Sequence, residues 1–341
     1  EALKLNVGFE LSLFEKVKLQ ADYFREKRSG IFLQRSGLPI IVGISTIPYI
    51  NVGETLNQGI DANLEYSQKI SNVFVTARGN FTYNRNKMIN NDDPDWEYKY
   101  QNRIGKPFGS YGSVQPFGLK ALGLFASQEE IDNSPKQTYG EYRVGDIRYQ
   151  DINGDGVIDS QDEVALGYTN MPEIVYGFGA TAQWKNWDFN VFFQGVAHTS
   201  FFLAGASLRS PFSSGSMERS AVNEDIYGNV WMSTNTPEQN DRAIYPRLSL
   251  SNQAGSSNNN QTSDWWLRDG SFLRLKNFEI GYTLPKKLLG KNFIRSLRFY
   301  VAANNLLTFC NFKLWDPEKG SSDGSGYPLN RVVTLGFNIN L

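Results

Sequence analysis

The chain has 341 residues, with 34 Lys and Arg against 35 Asp and Glu, so its formal net charge is −1. This balance argues against a nucleic-acid partner, which would require a basic face. A single cysteine, Cys310, and a single histidine, His198, exclude an internal disulfide and leave no Cys/His set for a zinc site. The length suggests two ordinary domains or one large β domain. Aromatic residues are 14% of the total, and they favour strands and membrane interfaces.

Apolar and polar residues alternate strictly along most of the chain. Residues 3–13 have Leu, Val and Phe at odd positions and Lys, Asn, Gly, Glu and Ser at even positions, and 73–83, 176–184 and 333–341 repeat the pattern. No apolar run approaches the roughly 18–20 residues of a transmembrane helix. We predict about ten long strands, near 2–14, 16–28, 57–70, 72–86, 107–118, 172–184, 187–202, 271–284, 296–308 and 330–341.

These strands are too long and too uniformly two-faced for a soluble sandwich. A strand that crosses lipid at a tilt needs about 9–11 residues of such alternation. We therefore predict an all-β fold, a transmembrane antiparallel β-barrel whose apolar face meets lipid and whose polar face lines the lumen. The predicted lumen wall contains Asp61, Asn63, Glu65, Arg78, Asn80, Gln183, Asp188, Asn190, Gln194, Arg298 and Asn304.

The connections between the strands alternate between short and long. Ser71-Asn72 and Lys185-Asn186 are tight, whereas 29–56, 87–106, 119–171, 203–270 and 309–329 are long and polar. Outer-membrane barrels have short periplasmic turns and long extracellular loops. Trp184 and Trp187 flank one tight turn. This position predicts an aromatic girdle at the membrane interface, and the alternative is an ordinary hairpin whose tryptophans lie in a core. The polar segment 251–263 predicts a mobile loop tip, and 129–134 predicts one helical turn.

The segment DINGDGVIDSQDE at 151–163 has the spacing of a calcium loop. Asp151, Asn153, Asp155, Asp159 and Asp162 occupy positions 1, 3, 5, 9 and 12, Gly156 the turn position, and Val157 would offer its carbonyl oxygen. The segment lies near the outer end of strand 172–184, where calcium would be a structural staple. An Asx-rich turn without metal is the alternative, because Gly154 and Gly156 also suit a plain turn.

Several blocks resemble one family in the correct order. They are VKLQADYFREKRSGIFLQ at 17–34, NVGETLNQGIDANLEYS at 51–67, GDIRYQDINGDGVIDSQDEVALG at 145–167, PEIVYGFGATAQWKNWDFNVFFQG at 172–195, DGSFLRLKNFEIGYTLPKKLL at 269–289, LRFYVAANNLLTFCNFKLWDPE at 297–318 and YPLNRVVTLGFNINL at 327–341. Together they resemble SusC/RagA-type TonB-dependent outer-membrane transporters over nearly the whole chain. One departure is Leu341, because barrels of this family tend to end on Phe.

The resemblance implies a barrel of about 22 strands with an N-terminal plug, in a Gram-negative outer membrane. The chain starts at Glu1 rather than Met, and we expect residues 1–341 to be the C-terminal half of the barrel. Plug, TonB-contacting segment and N-terminal strands are then expected in a missing part. The implied partners are a SusD-like surface lipoprotein, TonB, the lipid bilayer and the remaining barrel half.

Two functions remain open for such a chain. The first is TonB-dependent import of oligosaccharides or peptides, in which loop aromatics such as Trp231, Trp265, Trp266 and Trp315 would stack on sugars, meet the lid, or simply pack the loops. The second is a scaffold subunit of a larger outer-membrane complex. We expect no enzyme. The carboxylate pairs Asp92-Asp93 and Glu129-Glu130, and also Asp95, lie in polar loops without a pocket signature. His198 has no motif around it and is expected to be structural.

Overall fold

The computed structural model describes residues 1–35, 37, 41, 43, 46–108, 116–203, 224–249, 256–289, 294–320 and 322–341. Its helices are short: Gln128–Asp132 (α1), Glu224–Tyr227 (α2), Pro237–Asp241 (α3) and Ser256–Asn259 (α4). Turns of 3-10 helix lie at Lys99–Gln101, Ser160–Asp162, Asp264–Trp266, Lys286–Leu288 and Pro317–Lys319. Among these residues, no helix has the length and apolar character needed to cross a membrane.

Strands make up most of the ordered structure. They are Ala2–Leu13 (β1), Val17–Gln34 (β2), Tyr49–Ile70 (β3), Val73–Asn90 (β4), Phe117–Gly118 (β5), Ala121–Leu124 (β6), Lys136–Gln137 (β7), Ile147–Tyr149 (β8), Val157–Ile158 (β9), Val164–Ala165 (β10), Ile174–Trp184 (β11), Trp187–Ala197 (β12), Ser200–Phe202 (β13), Leu267–Asp269 (β14), Phe272–Thr283 (β15), Ser296–Phe309 (β16) and Val332–Asn340 (β17).

Nine of the strands in the described part of the chain form one large sheet. Its order is β1-β2-β3-β4-β11-β12-β15-β16-β17, and every neighbouring pair is antiparallel. The predicted tight turns are confirmed, with Ser71 and Lys185 at positive φ, as two-residue hairpin turns require. The all-β antiparallel prediction is also confirmed. β1 and β17 are the two edges, and in lipid their outer backbone groups need further strands as partners.

Two predicted strand boundaries are wrong. The segment 107–118 is not a sheet strand: only β5 is extended, it pairs with β10, and 109–115 lie outside the described residues. β4 instead pairs directly with β11, so no strand from 107–118 lies between them in the sheet. The connection predicted at 29–56 shrinks to 35–48, because β2 and β3 stay paired through bulges around Gly30, whose φ is 67°. A bulge breaks the alternation without ending the pairing.

The apolar core lies in the long connections. Buried residues from three of them pack together, including Tyr149, Tyr245, Trp266 and Phe312. Short strand pairs, such as β6 with β8 and β13 with β14, hold these segments in place. We name this unit the loop platform and define it as residues 116–171, 199–203, 224–249, 256–269 and 309–320. It lies at the end of the sheet opposite the tight turns.

Candidate functional site

One face of the large sheet is apolar and exposed from edge to edge. Leu64 on β3 is 48% exposed, Phe178 on β11 45% and Phe337 on β17 62%. Soluble monomers rarely expose an apolar surface of this extent, whereas a bilayer would bury it. The face is therefore built to meet lipid.

The opposite face is polar, and the strand register places all eleven predicted wall residues on it. Directly opposed residues of antiparallel strands share a face, and Asn63 opposes Asn80 while Glu65 opposes Arg78. The complete set on this face is Asp61, Asn63, Glu65, Arg78, Asn80, Gln183, Asp188, Asn190, Gln194, Arg298 and Asn304. The residues make one continuous polar wall, and their exposure to a lumen stays a prediction.

A charge cluster crosses three strands of this polar wall. Arg298 donates from Nε to Asp188 Oδ1 at 2.9 Å, and its Nη2 contacts both Asp188 and Glu279. Gly281 provides the space, because a Cβ there would lie 2.4 Å from the Arg298 Nη2. The sequence did not predict the roles of Glu279 and Gly281 in this cluster. Alternation shows which residues share a face of the sheet, but it does not show which side chains contact each other.

The tryptophans at the second tight turn are exposed. Trp184 opposes Trp187 across the hairpin, they are 46% and 45% exposed, and Trp187 lies 4.7 Å from the Tyr282 ring. Core tryptophans of a soluble hairpin would be covered. The exposure supports the predicted aromatic girdle at the membrane interface.

The predicted calcium loop is a compact turn held by its own side chains. Asp151 accepts from the Gly154 and Gly156 amides at 2.6 and 2.9 Å. Asp162 Oδ1 accepts from the Ile152 amide at 2.7 Å and is fully buried. Within the described ranges, no three His, Cys, Asp or Glu side chains are grouped so that they could hold a metal ion. The calcium site stays a prediction.

This turn also braces a second connection. Tyr100 Oη donates to the Gln161 carbonyl at 2.7 Å, and Gln101 Nε2 donates to the Ser160 carbonyl at 2.9 Å. The turn therefore ties the β4–β5 connection to the loop platform. An interaction that stabilises the 151–163 turn would therefore also stabilise the β4–β5 connection.

A buried polar network joins the two longest connections. Asn258 Oδ1 accepts from Gln137 Nε2 at 2.7 Å, and its Nδ2 donates to the Ile147 carbonyl at 2.9 Å. Asn259 Nδ2 donates to Asp146 at 3.0 Å. The prediction of a mobile loop tip at 251–263 is thus wrong for 256–263, because these asparagines supply hydrogen-bonding groups that the interior requires. Residues 251–255 lie outside the described part.

Asp146 is the charged centre of that network. It is fully buried and receives Arg247 Nη2 at 2.9 Å and the Arg143 amide at 2.7 Å. Burial raises the pKa of the Asp146 carboxyl, because a charged carboxylate loses its hydration there. The hydrogen bond and the charge of Arg247 oppose that rise in pKa.

The loop tryptophans divide into two kinds. Trp266 is fully buried and donates from Nε1 to the Asn259 carbonyl at 2.7 Å, and Trp315 packs on Phe312 with 4.8 Å between ring centroids. Loop packing is therefore the role of these two. Trp231 and Trp265, which are partly buried as Trp315 is, line a cavity.

The remaining titratable candidates make structural contacts. His198 Nδ1 lies 3.1 Å from Glu173, and its ring stacks on Tyr168. Asp92 pairs with Arg35 at 3.2 Å. Asp93 accepts from Trp96 Nε1 at 3.2 Å, and Glu130 pairs with Arg148.

Comparisons with known proteins fit this geometry. No protein-family model matches the chain. A TonB-dependent receptor of Formosa agariphila is 29% identical over 98% of this chain and 34% of the receptor. The TonB-dependent receptor SusC of Bacteroides thetaiotaomicron is 22% identical over 93% of this chain and 29% of SusC. The solved RagAB peptide importer in the open-open state superposes with a TM-score of 0.69, at 23% identity, over 100% of this chain and 34% of that chain.

The resemblance to SusC/RagA-type TonB-dependent transporters is confirmed. The barrel fold and the Gram-negative outer-membrane location are confirmed with it. The chain spans about a third of the length of these transporters. The relatives are named as receptors and transporters, which fits a protein that is not an enzyme.

Proposed function

We propose that the chain forms the C-terminal wall of a TonB-dependent importer for oligosaccharides or peptides. The observation that carries this proposal is the two-faced sheet: an exposed apolar face spans it, and a continuous polar wall backs it. A sheet with this division separates lipid from a hydrated passage. Further strands and a plug would close the passage, and TonB would supply the energy.

We propose further that a SusD-like lipoprotein covers the loop platform. The relatives support this partner, since SusC and the RagAB peptide importer are among them. The platform supports it physically, because its buried core makes a firm surface on the side away from the tight turns. Oligosaccharide and peptide both remain candidate cargoes, because the wall carries uncharged amides together with charges of both signs.

Uptake by intact cells tests the import proposal. Cells that lack the full-length protein, and cells that lack TonB, are expected to lose uptake of the same radiolabelled oligosaccharide or peptide fraction. Restoring the gene should restore uptake. Normal uptake in the deletion strain, with loss of a co-purifying outer-membrane assembly, would instead identify a scaffold and refute the importer.

We propose calcium as a structural staple of the 151–163 turn. The oxygen donors Asp151, Asn153, Asp155, Asp159 and Asp162, with the Val157 carbonyl, suit a hard cation rather than zinc or copper. Extracellular calcium modules bind with dissociation constants of about 10⁻⁴–10⁻³ M. Millimolar calcium should therefore slow protease cleavage within 95–102 and 151–163 of the purified full-length protein, and a chelator should reverse this.

Asp155→Ala is expected to abolish the calcium effect, because it removes a charged donor that lies at the exposed tip of the turn. Asp132→Ala, at the exposed end of α1, is the matched control and should keep it. Equal calcium protection in wild type and Asp155→Ala would show that the turn is a plain Asx turn.

A further inference from the structure

A cavity of about 740 Å³ opens in the loop platform, and its described lining shares no residue with the polar wall. It lies between β6, the segment that includes α3, and Trp265. Its described lining includes two tryptophans, an amide and two carboxylates: Trp231, Trp265, Asn235, Glu238 and Asp241. A volume of this size is typical of small-molecule sites, which reach roughly 300–1,000 Å³.

The aromatic walls of the cavity are held in place by the platform. The Trp231 ring lies against Gly145, where a Cβ would come within 2.3 Å of the indole. Gly145 has a φ of 89°, so both its backbone and the neighbouring ring favour glycine. Trp265 packs against the buried core, and its carbonyl accepts from Arg268 at 2.7 Å. Gly145 therefore contacts the ring of Trp231, and the buried core contacts Trp265.

The polar side of the cavity is rich in acceptors. Asn235 Nδ2 donates to the Val230 carbonyl at 3.1 Å and to Asn240 at 3.0 Å, which commits its donor and leaves Oδ1 as an acceptor. Asp241 ends α3 with an exposed carboxylate, and Glu238 adds a second on the same helix. None of the described residues that line the cavity is Lys or Arg.

We propose that this cavity binds a neutral oligosaccharide. A pyranose ring presents C–H groups on its faces, which pack on tryptophan, and hydroxyl donors on its rim, which pair with carboxylates and amide oxygens. Uronate or sulfate groups would meet the Glu238 and Asp241 charges with no cation among the described lining residues, so an anionic glycan is disfavoured. This inference names a cargo class for the proposed importer. The import of the bound sugar rests on the proposed function, whereas its binding in the cavity does not.

Equilibrium binding to the purified full-length protein in detergent tests the proposal. The probes are immobilised neutral gluco-, xylo- and galacto-oligosaccharides, acidic uronate oligosaccharides of the same lengths, and uncharged peptides of similar mass. We expect retention on neutral sugars alone. Preferential binding of acidic glycans or of peptides would overturn the proposal, and so would the absence of binding at millimolar probe.

Two substitutions locate the binding. Trp231→Ala is expected to weaken it by at least about tenfold, and Asp241→Ala by roughly tenfold, as loss of a charge-assisted hydrogen bond implies. The matched controls are Trp184→Ala at the distant tight turn and Asp132→Ala on α1, which should bind as wild type does. Asp241 is exposed, so its removal leaves the platform folded even where Trp231→Ala does not. Unchanged affinity in Asp241→Ala would refute the assignment to this cavity.

These measurements need neither TonB nor an energised membrane. A protein that binds neutral sugars without importing them would therefore refute the importer and leave the cavity assignment standing. A protein that imports peptides and binds no sugar would refute the cavity assignment alone.

Discussion

Leu64→Arg should destabilise the assembled barrel by about 2–4 kcal/mol, the cost of a charged side chain on the lipid face near the middle of a membrane strand. Leu64 lies within β3, opposed by Leu19 and Gly79 on the apolar face, and is about half exposed. Chemical unfolding of the full-length protein in lipid vesicles measures the loss. A larger fraction of heat-sensitive, unfolded barrel on electrophoresis should accompany it.

Asn63→Arg is the matched control for that substitution. Asn63 adjoins Leu64 in the same strand and at the same depth, but it opposes Gln20 and Asn80 on the polar wall. Water and neighbouring polar groups can solvate the new charge there, so the unfolding midpoint should stay close to that of wild type. Equal destabilisation by both substitutions would contradict our assignment of the two faces, and a larger effect of Asn63→Arg would reverse it.

Asn258→Leu should destabilise the loop platform by about 2–4 kcal/mol while leaving the sheet intact. Asn258 is fully buried and joins the side chain of Gln137 to the Ile147 carbonyl. Leucine can make neither contact, so a buried amide donor loses a partner. Hydrogen exchange measures this: amides of 136–149 should exchange faster, whereas those of β11 and β12 should not change.

The control for Asn258→Leu is Asn133→Leu, the same chemical change at an exposed position. Asn133 Nδ2 donates to the Glu129 carbonyl at 2.9 Å, and water can replace this contact at the exposed side chain. We expect a stability change within about 0.5 kcal/mol. If Asn258→Leu exchanged no faster than Asn133→Leu, the network would contribute little to the platform.

The strands and their two faces were predictable because alternation is a local property. Leu64 and Asn63 differ in face simply because successive side chains of a strand point to opposite sides. The tight turns were predictable for the same reason, because one alternating segment ends just before Ser71 or Lys185 and the next begins directly after the turn. The family resemblance likewise needed only the order of short blocks along the chain.

The strand ends and the platform were decided by tertiary contacts. β2 and β3 stay paired through bulges that interrupt the alternation of apolar and polar residues. Hydrogen bonds to the partner strand keep these residues extended although their side chains do not alternate. Asn258 and Gln137 lie 121 positions apart, and Trp231 meets Gly145 from a different connection. By itself, the sequence determined the strands, their lipid and polar faces and the family. Only the tertiary structure turned the polar loops into a buried core with a cavity, because distant segments must meet before their asparagines and tryptophans have partners.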